Sequence, residues 1–107
     1  MKVIFKEPGK DARRIVVDGS LKTFQDLVGG HIEHIGLSER LGILCDEEGK
    51  LKGYDPNFRL AAINDWIVGN AIFVGEGGED FTDIHEDDAN TVMLFLGLQP
   101  DLMKEEE

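Results

Sequence analysis

The chain has 107 residues, of which 41% are hydrophobic and 31% charged, and a formal net charge of −11. That length suits one domain with one core, and the mixture excludes a chain disordered throughout. No apolar run is long enough to cross a bilayer, and the negative charge argues against direct contact with nucleic-acid phosphates.

Met1-Lys2-Val3-Ile4-Phe5-Lys6 turns charged too soon for a secretion signal, and Val3 to Phe5 suit a first strand. Glu7-Pro8-Gly9-Lys10-Asp11 is turn chemistry, so Arg13 to Val17 should return as a second strand. Ser20 is a natural helix cap. Behind it Leu21, Phe24, Leu27 and Val28 form one helical stripe, which Gly29 ends in a left-handed conformation.

His31 to Leu37 and Leu41 to Cys45 read as a third and fourth strand. Asp46-Glu47-Glu48-Gly49 predicts a hairpin turn with a glycine bulge, bringing Lys50-Leu51-Lys52 back antiparallel. Tyr54 to Asn57 read as a loop that carries Arg59 beside it. Asp65 to Val74 hold apolar runs on either side of Gly69-Asn70, which fit a tight hairpin or one bulged strand. Gly75 to Asp80 look like a flexible acidic connector, and Thr82 like the cap of a second helix with an acidic first turn. Val92 to Leu96 are five apolar residues in a row, either buried on several sides or partly covered by a second subunit. Gly97 and Pro100 should end that helix, leaving 101–107 as a charged tail on a globular domain spanning 1–100.

The predicted class is α+β. It comprises a mixed or antiparallel sheet with one packed helix, in a β-grasp-like strand–strand–helix–strand–strand order, plus a C-terminal helix. Cys45 is alone, so no internal disulfide is possible; this fits a reducing, cytoplasmic setting and a small buried side chain rather than a nucleophile.

Charge is segregated along the chain. Residues 1–44 carry seven Lys or Arg against six Asp or Glu, whereas residues 45–107 carry four against sixteen. Within the acidic half, Glu76, Glu79, Asp80, Asp83, Glu86, Asp87 and Asp88 crowd into one short stretch. Such a field suits solubility, and it also attracts a basic protein surface.

Other constellations are sparser. His31 and Glu33 alternate on a strand and so share a face, the layout of a base with its orienting carboxylate or of two metal ligands. Asp83, His85, Asp87 and Asp88 bear ligand atoms, but their spacing does not converge them, so no metal is expected. Gly75-x-Gly77-Gly78 lacks the lysine and hydroxyl of a phosphate loop and is followed by two acids. Asn57, Arg59, Trp66 and His31 together supply the minimum for holding a phosphate and a base: a guanidinium fork and aromatic surface. No arrangement of a familiar hydrolase is present, and no cofactor is implied.

Six stretches are similar to one family. They are Glu7-Pro8-Gly9-Lys10, Leu27-Val28-Gly29-Gly30-His31-Ile32-Glu33, Asp46-Glu47-Glu48-Gly49-Lys50-Leu51, Pro56-Asn57-Phe58-Arg59, Asp65-Trp66-Ile67-Val68-Gly69-Asn70 and Gly78-Glu79-Asp80-Phe81. In these the chain resembles the small bacterial and bacteriophage proteins of the DUF3846 family, a domain of unknown function. Members often carry Tyr where this chain has His31, and Asn where it has Cys45 or Asp46. The resemblance implies a cytoplasmic accessory protein of a phage or mobile element, and brings no catalytic residues with it.

Three functional expectations follow. The first is a non-enzymatic protein whose acidic stretch engages a basic surface on a host protein, such as a defence or nucleic-acid-handling factor. The second is a binder of a small ligand such as a nucleotide signal, using Asn57, Arg59, Trp66 and His31 at a homo-oligomer interface formed through Val92 to Leu96. The third is a small hydrolase using His31 and Glu33.

Overall fold

Turn chemistry at Glu7 to Asp11 produces the first ribbon: β1 (Lys2–Lys6) and β2 (Arg13–Val16) pair antiparallel, with Val3 opposite Ile15. The computed structural model describes residues 1–99. Helix α1 (Leu21–Val28) carries the caps its sequence specifies. Ser20 accepts the Thr23 N–H at 3.2 Å, and Gly29 turns left-handed at φ 94° while donating to Gln25 O. A side chain there would cost about 1–2 kcal/mol, hence the glycine.

Strands β3 (Ile32–Ser38) and β4 (Leu41–Asp46) form the next hairpin, turning at Glu39-Arg40 with a bulge between Gly36 and Ser38. Strand β7 (Ala71–Gly77) is buried without a break from Ala71 to Gly75, the mark of a strand covered on both faces. It lies at the centre of the order β2-β1-β7-β4-β3, and β8 (Asp80–Thr82) also pairs with it. Every pairing among the described residues is antiparallel.

Each face of this sheet has its own core. On one, Phe24 and Val28 of α1 press on Val3, Phe5, Leu44, Ile72 and Val74. On the other, Ile4, Ile43, Cys45 and Phe73 pack under a two-stranded ribbon and the second helix. The ribbon is β5 (Pro56–Leu60) with β6 (Asp65–Val68), joined by a short 3-10 turn at Ala61–Ile63. Burying each large apolar side chain stabilises by about 1.5–3 kcal/mol, so α1 is held mainly by Phe24 and Val28. The α+β class, the packed helix and the C-terminal helix are therefore as the sequence implies, and the sheet is antiparallel.

Several local expectations need correction. Lys50-Leu51-Lys52 is not a returning strand but part of a rolled turn. There the Glu48 N–H donates to Asp46 Oδ1 at 2.8 Å, and Lys52 N–H donates to Glu48 O at 2.9 Å. These local bonds satisfy the backbone and leave no ladder to form. Pro56 to Arg59 lie in a strand rather than a loop, because Pro is tolerated at the first position of a two-stranded ribbon while Phe58 and Leu60 bury inward.

Gly69-Asn70 makes neither a hairpin nor a bulge. It passes the chain from the ribbon into the central strand, since β6 pairs with β5 and β7 pairs with β1, β4 and β8. Gly75 to Gly77 belong to β7, and the supposed connector is the tight turn into β8.

Helix α2 (Glu86–Leu98) starts later than Thr82, which ends β8; His85 is its cap position, without a side-chain bond. Gly97 lies within the helix, and Pro100 and the tail 101–107 fall outside the described residues. The apolar run is divided: Val92 and Leu96 are buried, Met93 and Phe95 half-buried, and Leu94 is 65% exposed. Cys45 is buried, and desolvation with the nearby Glu33 and Asp46 charges pushes its thiol up to about 11.

Candidate functional site

The Asp18-Gly19 turn delivers the chain to Ser20 so that Leu21 opens α1 at the rim of the sheet, 57% exposed. One turn later Phe24 enters the core. The β7–β8 turn places Phe81 on the same side, its ring edge-on to Phe24 with centroids 6.2 Å apart. Between helix and turn runs a groove of about 380 Å³, floored by Phe24, Ile32 and Phe81 and flanked by Leu21, Glu79 and Asp80.

Glu79 and Asp80 have no counter-charge or hydrogen-bond donor among the described residues. Asp18 precedes the groove residue Gly19. The Ser20 N–H, 2.9 Å from its carboxylate, and the Thr23 and Ser20 hydroxyls hold its pKa below the usual value. A trough floored by aromatic and aliphatic side chains, with carboxylates at its edge, is thus built from three separate segments.

Beyond Phe81 stands a pair that sequence reasoning missed. His34 Nε2 and Glu76 Oε2 lie 2.9 Å apart, and the His34 ring tilts against Phe81 with centroids 5.3 Å apart. They meet over Gly42, where a Cβ would overlap the Glu76 carboxylate and come within 2.9 Å of His34 Nε2. The two residues sit on strands separated by β4, so only the strand order brings them together. No local sequence signal reports that.

The seven acidic candidates are divided by the fold. Glu76 pairs with His34, Glu86 with Arg14 at 2.9 Å and Asp88 with Arg40 at 2.9 Å. Asp83 accepts the Lys2 N–H at 2.8 Å. Glu79, Asp80 and Asp87 have no such partner among the described residues. Moreover, Glu86 to Asp88 open α2, which packs on the face opposite α1, whereas Glu79 and Asp80 border the α1-side groove. No group of three His, Cys, Asp or Glu side chains among the described residues is arranged to hold a metal.

The ligand-type residues are likewise only partly gathered. Arg59 and Trp66 stand opposite each other in the β5–β6 ribbon, with the Arg59 guanidinium donating to Asn64 Oδ1. Asn57 turns inward. Its Nδ2 donates to Lys6 O at 2.9 Å and Gly69 O at 2.7 Å, binding the ribbon to the sheet, and its Oδ1 is buried without a partner. His31 lies elsewhere, exposed just before β3, its carbonyl taking the Glu47 N–H. Glu33 is exposed on β3, and no hydrogen bond or ion pair joins it to His31.

Fold and site together define a small α+β domain with a groove floored by Phe24, Ile32 and Phe81 and bordered by Glu79 and Asp80. The chain belongs to the family described as a domain of unknown function (DUF3846), whose model matches residues 1–96. No curated protein and no solved structure matches it. No helix among the described residues is long and apolar enough to cross a membrane.

Proposed function

We propose that this chain is a non-enzymatic binding protein of a phage or mobile element, which engages a basic surface on a host protein through uncompensated carboxylates. The host factor would be one that handles nucleic acid or serves defence, because such proteins carry basic grooves that this field favours. The observation that carries the reading is the exposed Glu79-Asp80 pair, left without counter-charge in a domain whose other acids repeatedly find cations. Attraction of this kind accelerates encounter and fades with salt.

The test compares the native chain with a Glu79→Gln/Asp80→Asn/Asp87→Asn variant, each immobilised and challenged with bacterial host lysate at low salt. The expected outcome is a basic protein held only by the native chain, released by salt and displaced by competing duplex DNA. Equal retention by the neutralised variant overturns the proposal.

A second reading rests on the Arg59–Trp66 juxtaposition, a cation fork beside an aromatic face, and would take a small nucleotide. A nucleotide that raises the melting temperature of the native chain and not of Arg59→Ala supports it. A panel of cyclic and linear nucleotides with no effect removes it.

A further inference from the structure

We infer that the groove between α1 and β8 receives one large apolar side chain from a lysine- or arginine-rich segment of the partner protein. This rests on the acidic-surface reading above and specifies what that surface recognises. Leu21 is 57% exposed at the rim, and the Phe24 and Phe81 rings with Ile32 form a floor. A volume of about 380 Å³ fits an isolated anchor rather than a whole helix. Around it Glu79, Asp80 and, beyond Gly19, Asp18 present anionic charge, while Nε2 of His34, whose ring tilts against Phe81, is engaged by Glu76. Those carboxylates repel a phosphate or a free acid and favour cations flanking the anchor. An apolar centre with a charged rim is also the layout in which a few buried side chains supply most of the binding energy.

The probe is a short labelled peptide with a central phenylalanine between pairs of lysines, set beside a twin carrying glycine at the centre. Binding is followed by fluorescence anisotropy and by amide chemical shifts. The phenylalanine peptide is expected to bind about tenfold more tightly than its twin, with shifts centred on Leu21, Ile32 and Phe81. Leu21→Gln, at an exposed first-turn position that tolerates the change, should abolish that preference. Glu79→Gln/Asp80→Asn should weaken both peptides, less so as salt rises, and Glu86→Gln on the opposite face should change neither.

Equal affinity for the two peptides, or a Leu21→Gln variant that still prefers phenylalanine, overturns the groove. If in either case binding still falls on neutralising Glu79 and Asp80, the acidic surface survives without it. Binding that ignores the neutralised pair, or no binding of either peptide, removes both.

Discussion

Removing the Asp46 carboxylate tests the fold at the junction its surroundings depend on. The side chain is 1% exposed and accepts from the Glu48 N–H at 2.8 Å and from Lys52 Nζ at 2.7 Å. The same ammonium reaches Gly29 O at 3.1 Å, so one cation ties the end of β4 to the end of α1. Burial by itself would raise the Asp46 pKa; the Lys52 ammonium, the Glu48 N–H and the Tyr54 hydroxyl outweigh it and hold the carboxyl below its usual value. Asp46→Ala takes the acceptor from the part-buried Glu48 N–H and the partner from Lys52, two charge-assisted bonds worth about 1–3 kcal/mol each at most. The total is about 2–4 kcal/mol, a large share of the ~5–15 kcal/mol typical of a domain, and lowers Tm by about 10–25 °C. Asp46→Asn keeps an acceptor for Glu48 and should lose roughly half as much.

The sign of the pH effect follows from the depressed pKa. The charge contributes fully above the unfolded value of about 3.9, and its contribution is lost as pH falls through the lower folded value. The gap between native and Asp46→Asn, measured by urea unfolding, should therefore be constant near neutrality and close in acid. An Asp46→Ala melt within about 2 °C of native, or a gap that persists in acid, refutes the reasoning.

Two further predictions concern β8 and the thiol. A Cβ at Gly75 would overlap the Asp83 carbonyl and lie 2.7 Å from Thr82 Oγ1, so Gly75→Ala must lift β8 and should cost about 1–3 kcal/mol in urea unfolding. Were residues 75–80 a free connector, the same change would stabilise by about 0.4–1 kcal/mol, so a stabilised variant sinks this account. Cys45, buried and with its thiol pushed up to about 11, should ignore a disulfide exchange reagent at neutral pH until the chain is unfolded. Rapid reaction of the native protein would show that the pocket around it opens.

What was legible in the sequence is what local chemistry decides. Ser20 and Gly29 bracket α1 because capping and a left-handed φ are properties of one or two residues. The strand cores at Val3 to Phe5 and Leu41 to Cys45 are likewise set by apolar pattern. Local signals misled at Asp46 to Gly53, where a hairpin motif rolled up because Asp46 and Lys52 found each other across six residues and then found Gly29. They misled again at Gly69-Asn70, read as a hairpin or a bulge, since a transfer between two sheets and a hairpin need the same flexible pair. The site suffered most. Glu79 and Asp80 were named for their charge, but the rings beside them come from Phe24 and Phe81, 57 residues apart in sequence and joined only by packing.

The charge asymmetry between the two halves of the chain is also partly an instrument of folding. Arg14 of β2 holds Glu86 and, at 2.7 Å, Asn90 Oδ1, while Arg40 in the β3–β4 turn holds Asp88. Cations from the balanced half thereby dock the first turns of α2 from the acidic half. Each exposed pair contributes about 0–1 kcal/mol, so their effect is to orient the helix more than to secure it. Carboxylates engaged in this way present a reduced field to a partner. Glu79 and Asp80 stand outside the arrangement: β8 is only three residues long, its turn has no basic residue, and the groove they border is otherwise lined by Gly19, Leu21, Phe24, Ile32 and Phe81. An anion left exposed beside buried rings adds no ion pair to this domain, and that free charge is what the proposed role in partner binding draws on.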